Sequence, residues 1–114
     1  EKMIENVRHL EPIFMGGLKK FEDLEFIGES RGIGLMGALE MAQDKKKKIP
    51  FDGSISIGER VANKCIENGL ICRPLGPSIV LCPPFITTEE EMDIIFETLE
   101  KTLKEVFSEV KSLG

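Results

Sequence analysis

Apolar residues recur every three or four positions over residues 1–21, and this spacing predicts an amphipathic helix. Pro12 falls inside the pattern and removes one backbone hydrogen bond, so we expect a kink or a restart of the helix there. Gly16 and Gly17 weaken the following turn, so the pattern also allows two short helices. The apolar positions are Ile4, Val7, Leu10, Phe14, Leu18 and Phe21.

Short runs with a period of two replace the helical pattern after Leu24. Residues 25–28 predict a short strand, and residues 32–41 predict a second one. Both faces of the second strand carry apolar or small side chains, which favours a strand covered on two sides. Its glycines would allow a bulge.

A second, shorter helix is predicted after a charged loop over residues 44–54. Residues 56–59 have the sequence of a capping box, with Ser56 as N-cap, and Asn68-Gly69 suits the end of the helix. The apolar stripe consists of Ile57, Val61, Cys65 and Ile66.

Two apolar runs then predict a β-hairpin, with residues 70–73 and 78–82 on either side of a turn at residues 75–77. Pro74 closes the first strand. Pro83-Pro84 ends the second, because proline cannot donate to the strand ladder.

The last segment predicts the longest helix. Residues 88–91 are a second capping-box sequence, and its glutamates complement the N-terminal end of the helix dipole. A helix of about 25 residues would extend about 40 Å. The apolar positions are Met92, Ile95, Phe96, Leu99, Leu103, Val106, Phe107, Val110 and Leu113.

Together these elements predict an α+β domain in which helices pack on one face of a small, mainly antiparallel sheet. A length of 114 residues suits one domain with one hydrophobic core. We therefore expect a single domain over residues 1–114, with a helical lead-in over residues 1–21 and an α/β body over residues 22–114.

The charges and apolar runs narrow the range of partners. Fifteen basic and twenty acidic residues give a net charge of −5, which argues against a nucleic-acid binder. The four lysines at residues 45–48 suit either a phosphate or membrane-surface patch or a solvated loop, and without aromatic neighbours the loop is favoured. The apolar residues 79–86 contain two prolines and are too few to span a bilayer, so we expect no membrane contact.

Few residues here suit catalysis or metal binding. The three cysteines are odd in number and lack Cys-x-x-Cys spacing, so we expect buried free thiols in a reducing compartment. The single histidine, His9, lies on a helix without a nearby nucleophile and is expected to be structural and partly exposed. The chain does not begin with Met and shows no signal-peptide pattern, and a cytoplasmic location is expected.

Residues 32–37 match the Gly-x-Gly-x-x-Gly fingerprint of dinucleotide-binding proteins, and Asp52 follows twenty residues after Gly32. The fingerprint works only where a buried strand meets the N-terminus of a helix. The residues that follow Gly32 alternate as a strand does, so we reject a dinucleotide site.

Arg73 is the candidate binding residue. It stands at the end of the predicted strand 70–73, where a sheet presents side chains to a cleft, and a guanidinium suits bidentate binding of a carboxylate. The residues alone leave a second interpretation open, a surface arginine that pairs with a neighbouring acid.

Three blocks, residues 28–40, 69–76 and 79–93, together resemble the C-terminal small domain of class III (fold type I) pyridoxal-phosphate-dependent aminotransferases. The resemblance is greatest to the ω-amino-acid–pyruvate branch. Residues 1–21 look like the helix that leads from the large domain of such enzymes into the small one.

This resemblance implies an enzyme, usually a homodimer, that uses pyridoxal phosphate to move an amino group from an amine or ω-amino acid to a keto acid such as pyruvate. Arg73 matches the arginine that binds the substrate carboxylate and swings aside for an uncharged donor group. Arg31-Gly32 resembles the start of a family strand, for which we infer a structural role.

The chain also departs from what such an enzyme needs. The Schiff-base lysine, the aspartate at the pyridine nitrogen, the stacked aromatic residue and the phosphate cup lie upstream in the family, and no lysine here occupies the matching motif. We therefore expect a fragment or separately expressed domain without catalytic or cofactor-binding residues, inactive alone. The alternative is a self-standing, non-enzymatic α+β module that binds a small carboxylate or a protein partner through its sheet.

Overall fold

Three helices and four strands follow one another in the computed structural model, which describes residues 2–83 and 87–113. Short 3-10 turns at Phe21–Asp23 and Gly53–Ile55 connect some of them. The helices and strands are α1 (Lys2–Lys20), β1 (Ile27–Ile33), β2 (Met36–Met41), α2 (Ile57–Glu67), β3 (Arg73–Leu75), β4 (Ser78–Leu81) and α3 (Glu89–Leu113).

The strands form one antiparallel sheet in the order β1-β2-β4-β3. In its centre Leu39 of β2 lies opposite Ile79 of β4, and both are fully buried. The next register pair, Ala38 and Val80, belongs to the opposite face and is half-buried. The predicted α+β class is confirmed, but the helices of the described chain cover only one face of β2.

All three helices belong to the buried side of the sheet. α1 contacts β1 and β2, α2 contacts β3 and β4, and α3 packs against α1 and α2. The Phe96 ring of α3 stacks on that of Phe14 of α1, with centroids 6.0 Å apart. The core therefore lies between the sheet and the helices.

α1 runs continuously through Pro12, so the expected restart and the two short helices are wrong. A proline inside a helix costs about 3 kcal/mol. Leu10, Phe14 and Leu18 are buried on both sides of Pro12, and each such side chain contributes about 1.5–3 kcal/mol, which outweighs that cost. Ile4, which the periodicity placed in the stripe, is exposed.

Residues 32–41, predicted as one strand, instead contain the end of β1, a turn at residues 34–35 and the whole of β2. The two strands form a hairpin. Ile33 pairs with Met36, and Gly34 between them has φ +57°, which glycine adopts without strain. The N–H of Gly34 donates to Glu11 Oε2 of α1 at 2.8 Å. The strand expected at residues 25–28 begins only at Ile27 and continues through Glu29, Ser30 and Arg31 to Ile33.

α2 begins after Ser56, but the capping box predicted for residues 56–59 is wrong. The Ser56 backbone has φ +51°, and its side chain makes no capping hydrogen bond to the helix. The end at Asn68-Gly69 is confirmed, with the Gly69 N–H donating to the Ile66 carbonyl at 3.0 Å. The Ile66 side chain is exposed, since the buried stripe runs through Ile57, Val61 and Cys65.

The β3–β4 hairpin is confirmed, with its turn at Gly76-Pro77. β3 spans Arg73–Leu75 rather than residues 70–73, and β4 ends at Leu81, one residue earlier than expected. Pro74 does not close β3 but lies inside it, which an edge strand tolerates. The strand end predicted at Pro83-Pro84 lies partly outside the described residues, because Pro84 is not among them.

The capping box of α3 is confirmed. The Thr88 N–H donates to Glu91 Oε1 at 3.0 Å, and the Glu91 N–H donates to Thr88 Oγ1 at 3.1 Å. The helix spans 25 residues, as predicted, and most of its apolar stripe is buried. Leu113, the last position of the predicted stripe, falls outside the described side chains.

The two serine or threonine positions before α2 and α3 should differ in their effect on stability. We expect Thr88→Ala to lower the free energy of unfolding by about 1 kcal/mol, because it removes a side-chain cap. Ser56→Ala should change it by less than about 0.5 kcal/mol, because no cap is lost. Urea denaturation of the two variants measures this, and equal losses would contradict the cap assignment.

Gly58 in α2 holds the helix close to the β3–β4 turn. A Cβ at this position would overlap the backbone carbonyl oxygen of Gly76, so we expect Gly58→Ala to destabilise the fold by about 1–3 kcal/mol. Gly16 in α1 is the matched control, because a Cβ there meets no atom within 4 Å. Gly16→Ala should stabilise the helix by about 0.5–1 kcal/mol. Thermal unfolding of both variants separates these signs.

Candidate functional site

Arg73 is the first residue of the edge strand β3 and its side chain is exposed. The sequence predicted it at the end of a strand, and the register corrects this position. Arg73 lies opposite Val80, Val80 opposite Ala38, and Ala38 opposite Arg31. Directly opposed residues of an antiparallel sheet share a face, so Arg73 belongs to the face that the helices leave open.

The backbone at Arg73 is fixed from both directions. The Leu70 N–H donates to the Cys65 carbonyl at 2.7 Å, which binds the connecting segment to the end of α2, and Cys72 is buried. Pro74 follows and disfavours helical backbone angles at the residue before it. The guanidinium is therefore carried by an exposed side chain on a fixed backbone.

A cavity of about 450 Å³ lies where β3 begins and β4 ends. Arg73 is the one charged residue among the described residues that line it, and the others are apolar, glycine or cysteine. Val80 and Cys82, which the sequence did not single out, line it from β4 and the residue after it. The sequence could have identified Val80 from the two-residue turn, because residues 73 and 80 lie at equal distances from its centre and therefore pair.

Arg73 and Arg31 differ in the number of carboxylates that lie near their guanidinium groups. Arg31 approaches two carboxylates, Glu29 at 3.7 Å and Glu40 at 3.5 Å. Arg73 forms no ion pair within residues 2–83 and 87–113, so the described chain provides no acid to neutralise it. A guanidinium in an apolar cavity without a counter-charge suits a carboxylate-bearing ligand.

The other candidate motifs lie away from this chemistry. The Gly-x-Gly-x-x-Gly glycines belong to the β1–β2 hairpin and not to a strand-to-helix junction. The lysines at residues 45–48 lie in a mostly exposed loop, where Lys45 Nζ donates to the carbonyls of Glu22 and Leu24. His9 Nε2 lies 3.4 Å from Glu89 Oε2, and both side chains are mostly exposed.

Two of the three cysteines are buried free thiols, as expected, whereas Cys82 is exposed, contrary to expectation. Cys82 follows β4 and its side chain is not covered by the helices. A hydrogen bond with Cys65, together with burial, raises the pKa of the Cys72 thiol. Cys72 is therefore protonated at neutral pH and is not a nucleophile for this cavity.

No lysine lines the Arg73 cavity within the described chain, so no amine there could form a Schiff base. The same residues contain no cluster of histidine, cysteine or carboxylate side chains that could hold a metal ion. No helix over residues 2–83 and 87–113 is long and apolar enough to cross a membrane.

Comparison with known proteins gives this arrangement a context. The family model described as Aminotransferase class-III matches residues 1–103. Gamma aminobutyrate transaminase 1, mitochondrial, of Solanum lycopersicum is 37% identical over 111 residues, which are 97% of this chain and 22% of that protein.

Solved structures of similar sequence show the same fold. An omega-aminotransferase from Paracoccus denitrificans superposes with a TM-score of 0.92 at 60% identity, over 95% of this chain and 24% of its own. A PLP-bound aminotransferase mutant from Vibrio fluvialis gives a TM-score of 0.92 at 56% identity, with the match covering 95% and 24% of the two chains. The chain thus spans about a quarter of the length of these relatives. On the family match and this likeness together, the chain belongs to the class III aminotransferase family.

Proposed function

We propose that the chain is the C-terminal small domain of a pyridoxal-phosphate-dependent class III aminotransferase. The whole enzyme, acting as a homodimer, would move an amino group from an amine or ω-amino acid to a keto acid such as pyruvate. Membership of the family supports amino-group transfer. The donor class is supported by similar proteins that are named as gamma aminobutyrate and omega-aminotransferases.

The observation that carries the substrate assignment is the single charge of the Arg73 cavity. Both an amino-acid donor and a keto-acid acceptor bear a carboxylate, and a bidentate guanidinium contact would orient it. An amine donor without a carboxylate has no group for Arg73 to bind. An exposed side chain on a fixed backbone allows the guanidinium to move aside for such a donor.

The cofactor of the whole enzyme would be held outside this chain. A PLP-bound structure among the similar aminotransferases supports pyridoxal phosphate as that cofactor. No lysine lines the Arg73 cavity among the described residues, so we assign to this chain substrate binding and part of the wall around the site, and no chemical step.

Replacement of Arg73 tests the substrate role in the full-length enzyme. We expect Arg73→Ala to lower kcat/KM for a keto-acid acceptor by roughly 30- to 150-fold, which corresponds to about 2–3 kcal/mol for a lost charged contact. The half-reaction with an amine donor that has no carboxylate should be largely retained.

Arg31→Ala is the matched control for this measurement, because Arg31 occupies the same sheet face but pairs with Glu29 and Glu40. It should leave the ratio of the two half-reaction rates unchanged. Equal losses of the carboxylate-bearing and carboxylate-free substrates in Arg73→Ala would refute the assignment.

The 114-residue chain mixed with pyridoxal phosphate should show no amino transfer and no stable, borohydride-trappable absorbance band. The reason is that no described lysine lies in the cavity. The urea-unfolded chain gives the background from surface lysines. A trapped band well above that background, at a single lysine, would contradict the proposal that the cofactor is held outside this chain.

A further inference from the structure

A chain of hydrogen-bonded side chains joins the end of α2 to the middle of α3 and reaches the Arg73 cavity. Asn68 Nδ2 donates to Thr102 Oγ1 at 2.9 Å and to Glu105 Oε1 at 3.1 Å. The Cys65 thiol makes hydrogen bonds with Thr102 on one side and with the Cys72 thiol on the other. We call this set of side chains, Cys65, Asn68, Cys72, Thr102 and Glu105, the α2–α3 network. It ends at Cys72, which lines the cavity and directly precedes the arginine.

Thr102 is a polar residue on a buried, mostly apolar side of α3. Its side chain is fully buried, as are those of Leu99 and Leu103. A hydroxyl in such a place destabilises the fold unless its hydrogen bonds are made. Here the Thr102 hydroxyl donates to the Thr98 carbonyl at 2.7 Å and accepts from Asn68 Nδ2. A satisfied buried polar group adds little net stability but specifies one arrangement of the parts that it joins, so this contact fixes where α2 ends on α3.

The turn after α2 forms one wall of the Arg73 cavity, because residues 69–72 line that cavity together with the arginine. Gly69 has φ +87°, and glycine has little intrinsic preference for one backbone conformation over another. The path of the turn is therefore set by the bonds made around it. These are the backbone bond from the Leu70 N–H to the Cys65 carbonyl and the side-chain bonds of Asn68.

β3 alone provides few contacts that hold Arg73 in place. The strand has three residues and pairs on one side only, with β4. Pro74 in its middle has no N–H to donate. With so few strand contacts, the position of the first residue depends on how the chain enters β3, and that entry is set by the turn at residues 69–72.

We propose that Asn68 is a positioning residue for Arg73: its amide holds the turn between α2 and β3 on α3 and thereby places the guanidinium where the substrate carboxylate binds. This inference rests on the proposed function, in which Arg73 binds that carboxylate. A displaced guanidinium would keep its charge but would meet the carboxylate at a less favourable distance and angle. The loss is therefore smaller than on removal of the arginine, and it is confined to substrates with a carboxylate.

Single-turnover half-reactions of the full-length enzyme test this assignment, with pyruvate as the carboxylate-bearing substrate and benzylamine as the carboxylate-free donor. In Asn68→Ala, the pyruvate concentration that gives half the limiting rate should rise roughly three- to tenfold, while the limiting rate itself stays within about twofold. Both quantities for benzylamine should stay within about twofold of those of the wild type. Equal changes for the two substrates would overturn the proposal.

A double-mutant cycle determines whether Asn68 acts through Arg73. In the Arg73→Ala background, Asn68→Ala should change the half-saturating pyruvate concentration by no more than about twofold, because no guanidinium is left to misplace. A further rise of roughly threefold or more would mean that Asn68 acts independently of the arginine, and the proposal would be wrong.

Variants of Thr102 separate positioning from stability. Thr102→Val removes the oxygen that accepts from Asn68 and should cause the same selective rise for pyruvate, whereas Thr102→Ser keeps that oxygen and should behave as the wild type. Thr88→Ala is the stability control, because it removes the cap of the same helix, which is bonded to Glu91. A selective rise in Thr88→Ala as well would assign the effect to stability and refute the proposal. If Asn68→Ala does not fold, Thr102→Val decides in its place.

The same measurements distinguish failure of this inference from failure of the proposed function. If Arg73→Ala selectively loses pyruvate and Asn68→Ala does not, Asn68 is not a positioning residue and the proposed function stands. If Arg73→Ala affects pyruvate and benzylamine equally, the substrate role of Arg73 fails, and the role of Asn68 fails with it.

Discussion

The packing of α1 and α2 on one face of the four-stranded sheet is the contact on which the remaining structure depends. Leu39 and Ile79 meet in the centre of that face, and the helices exclude water from them. Burial on this side provides the free energy that keeps α1 continuous through Pro12. Because α2 and β4 are both fixed by this packing, the short strand between them has little freedom in where it lies.

That constraint determines what Arg73 can do. The backbone around it is held by the end of α2 and by its pairing with β4, while its guanidinium has no carboxylate partner in the described chain. A guanidinium on a rigid strand in an apolar cavity is weakly hydrated and therefore favours an anionic group as its partner. The same open face carries the exposed side chains of Ile33 and Met36, so apolar surface lies on it together with the arginine.

The sequence predicted the helices better than the turns and strand limits. The long period of α3 and its capping box at Thr88 are local features, and both are confirmed. The sequence did not predict the hairpin at Gly34, because residues 32–41 also fit the alternating pattern of a single strand. Ser56 had the right sequence for a cap, but it ends the preceding 3-10 turn with a left-handed backbone, and its hydroxyl donates to the Gly53 carbonyl instead of capping the helix. The expected burial of Cys82 is wrong because the helices cover only one face of the sheet.

By itself, the sequence determined the α+β class, the long terminal helix and the family, and it singled out Arg73 as the candidate binding residue. These follow from periodicity, capping and motifs, which are properties of neighbouring residues. Only the tertiary structure decided that Arg73 begins its strand, that it lies opposite Val80, and that no acid of the described chain pairs with it. Strand register and ion pairing join residues that are distant along the chain. They follow from how the sheet and helices pack together, which no local pattern specifies.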